Sequence, residues 1–218
     1  AQRKARKKEG TIFSKHMVAF QNPEIKITSK DGDDAYPRIL LTNSHDGMQA
    51  FKFSVGIFRL VCSNGLVVAD EQFSDFKIKH KGYTFEELRD VVRQAVEDLP
   101  NKVEVMNQMR KRTLTLEEKN QLALDAMLIR AGIEPNSEKA KEYNYDLETL
   151  EDILEPIRKQ DEGDDLWRVF NVVQEKIING NFHAALTGAK VRKVRKIKSF
   201  EKDIEVNKEL FKLATSLI

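Results

Sequence analysis

The sequence predicts an α+β fold in which N-terminal antiparallel β-hairpins or a meander pack against a C-terminal set of α-helices. Three observations predict it. Asp31-Gly32, Asp46-Gly47 and Asn64-Gly65 are turn dipeptides at similar spacing. An Asx residue followed by glycine suits the hairpin turn that needs positive φ at both central positions. Phe51, Phe53, Val55 and Ile57 alternate with Lys52, Ser54 and Gly56, the period of a half-buried strand. From residue 84 onward the apolar period becomes that of a helix.

Taken in order, residues 1–12 read as a basic arm carrying Arg3, Lys4, Arg6, Lys7 and Lys8. Residues 13–218 read as one domain, mainly β over 13–82 and mainly α over 83–218. Leu60-Val61-Cys62 and Leu66-Val67-Val68 flank the Asn64-Gly65 turn, and Asp75 to Lys79 adds a strand. Thr84 and Glu87 form a capping box for a helix with Phe85, Leu88, Val91, Val92, Ala95, Val96 and Leu99 on one face. Pro100 interrupts that pattern, and a second helix runs to about Arg112. Thr115 and Glu118 repeat the capping box, and Gly132 supplies the stop. Asp146 caps a short helix ending at Glu155, before Pro156. A strongly helical stretch runs from Asp164 to Asn179 and stops at Gly180; residues 179–188 read as a loop, and a last helix starts near Phe200.

Of the 218 residues, 40% are hydrophobic, enough to bury a core, and 33% are charged. The charged share exceeds the roughly 25% usual in globular chains, so much of it lies on a solvated surface. No apolar stretch approaches the roughly 18 residues of a membrane span, and no apolar signal-peptide core follows the basic start. The single cysteine, Cys62, cannot form an internal disulfide and fits a reducing compartment, so a cytoplasmic protein is expected. The formal net charge of +2 conceals segregation. Residues 190–198 hold Lys190, Arg192, Lys193, Arg195, Lys196 and Lys198 with no acid, while residues 138–165 are strongly acidic. Such polarity suits a polyanion, or head-to-tail contact between subunits in a homo-oligomer.

The 190–198 run is the leading site. Lysines and arginines that contact phosphates release condensed counterions, giving salt-sensitive, sequence-independent binding. Arg59 and the strand with Lys77, Lys79 and Lys81 are secondary contacts. Phe13, Phe20, Phe73, Phe76 and Tyr83 lie near cations and suit base stacking, although core packing explains aromatics on strands as well. Asp164, Trp167, Asn171 and Gln174 share one helix face and read either as a small polar pocket or as a buried hydrogen-bonded network. His45, Asp46 and His80, with Asp164, Asp165 and His183, are the ligand types of a divalent-metal hydrolase, but they lack motif spacing. Cys62 in an apolar run reads as a small hydrophobe rather than a nucleophile. No glycine-rich run leads to Lys-Ser or Lys-Thr, which argues against an ATPase or kinase.

Several segments together resemble a known family. They are Asn43-Ser44-His45-Asp46-Gly47, the run Phe58-Arg59-Leu60-Val61-Cys62-Ser63-Asn64-Gly65-Leu66-Val67-Val68, and His80-Lys81-Gly82. Asp164-Asp165-Leu166-Trp167, Phe170-Asn171, Gln174-Glu175 and finally Asn207, Leu210, Leu213 and Ala214 continue the series. In that order, over roughly residues 35–215, the chain resembles the phage/plasmid-like family catalogued as domain of unknown function 932. Phe211 stands where that family pattern has tryptophan. The opening of the chain lacks a clear family start, which points to residues upstream. The resemblance implies a bacterial mobile genetic element, phage or plasmid, and hence a bacterial host cytoplasm. It implies no reaction and no catalytic residues.

The leading expectation is a non-enzymatic DNA-binding protein of such an element, protecting or annealing single-stranded DNA in recombination, without cofactor or membrane association. Two alternatives stay open: a metal-dependent nuclease or phosphodiesterase, and a protein-interaction module such as an inhibitor of a host defence system.

Overall fold

A computed structural model describes residues 15–21, 35–44, 51–59, 77–78, 85–97, 99–186 and 190–218. The described residues up to Pro100 belong to one compact unit and those from Asn101 to another.

In the first unit, β1 (Lys15–Gln21), β2 (Ala35–Ser44), β3 (Phe51–Arg59) and β4 (Lys77–Ile78) pair antiparallel in chain order. The registers place Val18 opposite Leu41, Leu41 opposite Phe53, and Phe51 opposite Ile78. Helix α1 (Phe85–Glu97) opens with Glu86 and Glu87, acids that suit the positive end of a helix. Helix α2 (Leu99–Lys111) spans the division between the units. Two separate helices meet near Pro100, as the interruption there implied, and Pro100 itself is the second residue of α2, where the first turn has no use for the missing N–H.

The second unit continues with α3 (Leu116–Ala131), α4 (Glu138–Lys141), α5 (Leu147–Leu154), a 3₁₀ turn (Lys159–Asp161) and α6 (Leu166–Asn179). Two short strands, β5 (His183–Ala184) and β6 (Arg192–Lys193), pair antiparallel ahead of α7 (Phe200–Thr215). The capping box of α3 is formed: Glu118 N donates to Thr115 Oγ1 at 3.2 Å, and Thr115 N donates to Glu118 Oε2 at 2.8 Å. Gly132 ends α3 at φ 76°, a conformation that favours glycine. The stretch read as a loop over 179–188 holds β5, so part of it is paired backbone.

The expected architecture is corrected here. The described chain is mainly helical, and the sheet of the second unit is two strands of two residues each. The antiparallel strands of the first unit are the lesser part of the described chain, and the α+β description gives way to a mainly helical one. The reason lies in α6, where every residue from Leu166 to Ile178 except Arg168 is buried. A helix buried on nearly all sides, its polar residues included, needs cover and polar partners all round. Helices α3, α5 and α7 supply it by packing on α6 and on one another. Met106, Met109, Leu122, Met127, Ile153, Trp167, Phe170, Phe182 and Leu210 fill that core. Each such side chain withdrawn from water contributes roughly 1.5–3 kcal/mol. Among the described residues no helix is long and apolar enough to cross a membrane.

Candidate functional site

The basic run is held by its apolar residues and its backbone. Val194 and Ile197 are buried, whereas Lys190, Arg192, Lys193, Arg195, Lys196 and Lys198 are exposed. Val194 N donates to Phe182 O at 2.8 Å, Asn181 N donates to Val194 O at 3.1 Å, and Ile197 N donates to Ile178 O at 2.9 Å. Arg130 Nη2 donates to Arg195 O at 2.8 Å. Gly180 makes this crossing feasible. Its φ of 73° disfavours a side chain, and a Cβ there would lie 2.4 Å from Val194 O. Four of the six exposed cations, Arg192, Lys193, Arg195 and Lys196, line an open groove of about 870 Å³ together with Asn179 and Asn181.

A polar chain joins α6 to α7. Gln174 Nε2 donates to Asn207 Oδ1 at 2.6 Å, and Asn207 Nδ2 donates to Asp203 Oδ1 at 2.6 Å. Burial pushes the Asp203 carboxyl above the ordinary carboxylate range, against the pull of Lys196, the Asn207 hydrogen bond and Arg130. Burial lowers the Arg130 guanidinium, and Asp203 opposes that shift.

A second concavity, a cleft of about 730 Å³, adjoins the strip at Val191. Tyr143, Asn144, Tyr145 and Asp146 form one wall, and Ala184, Ala185 and Leu186 form another. The walls are tied together: Tyr143 Oη donates to Ala185 O at 3.2 Å, and Thr149 Oγ1 donates to His183 O at 2.9 Å. Burial raises the Tyr143 hydroxyl above its usual range. Asp146 caps α5 by accepting from Thr149 N at 2.7 Å, and that backbone bond, with the Thr149 side chain, lowers its carboxyl.

The polar face of α6 is largely enclosed in the core. Trp167, Asn171 and Gln174 are buried, while the Asp164 side chain is 64% exposed and pairs with Lys119 at 2.8 Å. Asn171 Nδ2 donates to Trp167 O at 2.6 Å, so the amides are spent within the core. Arg110 lies over the Trp167 ring at 5.7 Å. Phe211, the departure from the tryptophan pattern, meets Phe170 edge-on at 6.1 Å.

The acidic stretch is largely employed within the chain. Asp152 pairs with Lys176 at 2.9 Å, and Asp165 caps α6 and pairs with Arg168 at 2.8 Å. Arg158 pairs with both Asp161 and Glu175.

Arg59 ends β3 and Lys77 begins β4, both in the first unit. Phe20 stands on β1, 54% exposed. Lys79, Lys81, His45, Asp46, His80, Cys62, Phe13, Phe73, Phe76, Tyr83, the 1–12 arm and the three turn dipeptides lie outside the described residues. Among the described residues, which include Asp164, Asp165 and His183, no cluster of three or more His, Cys, Asp or Glu side chains can hold a metal ion. Sequence reasoning missed the Tyr143–Tyr145 cleft. The Tyr-Asn-Tyr spacing was visible, but the 138–165 stretch was read for its acidic charge.

No solved structure matches the chain. The chain is 29% identical over 209 residues to UPF0380 protein YafZ of Escherichia coli K12, covering 94% of this chain and 69% of that protein. It is 31% identical over 221 residues to UPF0380 protein YfjQ of the same organism, covering 99% and 72%. The family described as domain of unknown function 932 matches residues 1–211, so the likeness read over 35–215 extends to the first residue. Matched over residues 1–211 by the model of that family, the chain belongs to the DUF932 family.

Proposed function

We propose that this protein binds nucleic acid through the 190–198 strip, as a DNA-binding protein of a mobile element. The observation that carries the reading is the outward display of six cations on a backbone held by Val194 and Ile197. A phosphate backbone is a linear array of negative charge, and neutralising it releases counterions. The strip matches that chemistry without requiring any base to be read.

Anisotropy of fluorescent single- and double-stranded DNA across a salt series tests the proposal. The affinity falls steeply with salt, with a slope of about −0.7 per phosphate contact on a single strand. Replacing the six cations together by glutamine flattens that slope. Absence of binding at low salt would remove the reading. Cleavage of the DNA only when magnesium is added would put the nuclease reading in its place.

A further inference from the structure

We infer that the Tyr143–Tyr145 cleft takes an unstacked nucleobase of a single strand whose phosphates lie on the 190–198 strip. The inference rests on the proposed capture of nucleic acid and adds the form of the ligand. Three observations carry it.

The first is continuity. Val191 is 58% exposed and lines the cleft, and its chain neighbours are Lys190 and Arg192. A strand lying along the cations therefore has the cleft beside it, within a nucleotide's reach of the same backbone.

The second is shape and surface. At about 730 Å³ the cleft is of the size that holds small organic ligands. Met127, Ile133, Leu186 and Val191 give it apolar surface beside its polar rim, and two tyrosines line it. Tyr143 is oriented by its bond to Ala185 O, and Tyr145 is 48% exposed. Every base has a π-face, so such rings accept any base that has left the helix stack. A duplex keeps its bases stacked and has none to offer.

The third is charge. Among the cleft's described lining residues two acids, Glu142 and Asp146, stand against one cation, Lys139, whereas the strip carries six cations and no acid. Phosphates are directed to the strip and the neutral base to the cleft, so the two concavities sort the two parts of one nucleotide.

The test compares a thymidine oligonucleotide with an abasic oligonucleotide of equal length, binding wild type, Tyr145→Ala and Tyr145→Phe. The thymidine oligonucleotide binds the wild type more tightly than the abasic one. Tyr145→Ala weakens thymidine binding roughly fivefold or more, the scale of one base–aromatic stack, and leaves abasic binding unchanged. Tyr145→Phe restores it. If Tyr145→Ala binds both oligonucleotides as the wild type does, the base site is refuted while the strip stands. An equal loss on both also refutes it, because a base contact cannot weaken a strand without bases. Absence of binding to either at low salt removes the strip and the base site together.

Discussion

Gln174 of α6 and Asn207 of α7 share a side-chain hydrogen bond of 2.6 Å, and each residue is only 1% exposed. The bond joins two helices inside the core, and Gln174 Oε1 has no partner there. Gln174→Met leaves Asn207 Oδ1 without its donor and is expected to cost about 1–3 kcal/mol. Asn207→Ala strips Gln174 Nε2 and two acceptors on Asp203 at once, so its loss is larger. The double variant loses less than the sum, which urea unfolding of all four proteins measures.

Arg158 faces two carboxylates that have little access to water. It pairs bidentately with Glu175, with Nη2 to Oε1 at 2.6 Å, and reaches Asp161 Oδ2 at 3.2 Å. Removing the cation takes a shared charge partner from both acids, so Arg158→Met is expected to destabilise by about 3–5 kcal/mol. Glu175→Gln in the same background recovers part of that. Chemical denaturation midpoints at neutral pH check both steps.

Gly180 and Gly132 separate backbone strain from steric contact. At Gly132 a Cβ meets nothing within 4 Å, so Gly132→Ala pays only for positive φ, about 1 kcal/mol. At Gly180 the ψ of −139° lies in a region almost reserved for glycine, and Val194 O stands in the way. Gly180→Ala is expected to lose roughly 1–3 kcal/mol from conformation alone and to displace the basic strip. Thermal melts of the two variants test the ordering; equal losses would contradict it.

Asp125 sits on α3, with burial raising its carboxyl and the Gln121 hydrogen bond opposing that shift. Its folded pKa lies above the unfolded one, so between the two values the folded chain binds more protons. Stability is then lost as pH rises through that window. Asp125→Asn removes the titration. It is expected to raise Tm at neutral pH relative to wild type, and the gap should close below the ordinary carboxylate range. A series of melts from acid to neutral pH reads the crossover; a gap that widens in acid would contradict the assignment.

The helices of the second unit were legible because their signals are local. Thr115 and Glu118, Gly132, Asp146 and Gly180 mark ends through their own hydrogen bonds and backbone angles. The layer arrangement was not, because turn dipeptides and a period-two run report a segment and say nothing of what covers it. Nearly all of α6 is buried, yet its sequence shows an amphipathic stripe with Asn171, Gln174, Glu175 and Lys176 on other faces. Those groups are buried because partners far along the chain satisfy them, Asn207, Arg158 and Asp152 among them. The exposed cations were legible as a run, whereas the cleft beside them depends on Tyr143 and Ala185 meeting across 42 positions.

A flexible basic tail gives up its freedom at the moment it meets an anion. The 190–198 strip has surrendered that freedom already, since Val194 and Ile197 are sealed into the core and Asn181, Phe182 and Ile178 grip its backbone. Its like charges are also confined at fixed intervals, where they repel one another within the folded chain. The entropy of ordering and the self-repulsion are both borne by folding rather than by association. If the strip takes a polyanion as proposed, that association would meet a backbone already ordered and relieve a standing electrostatic stress.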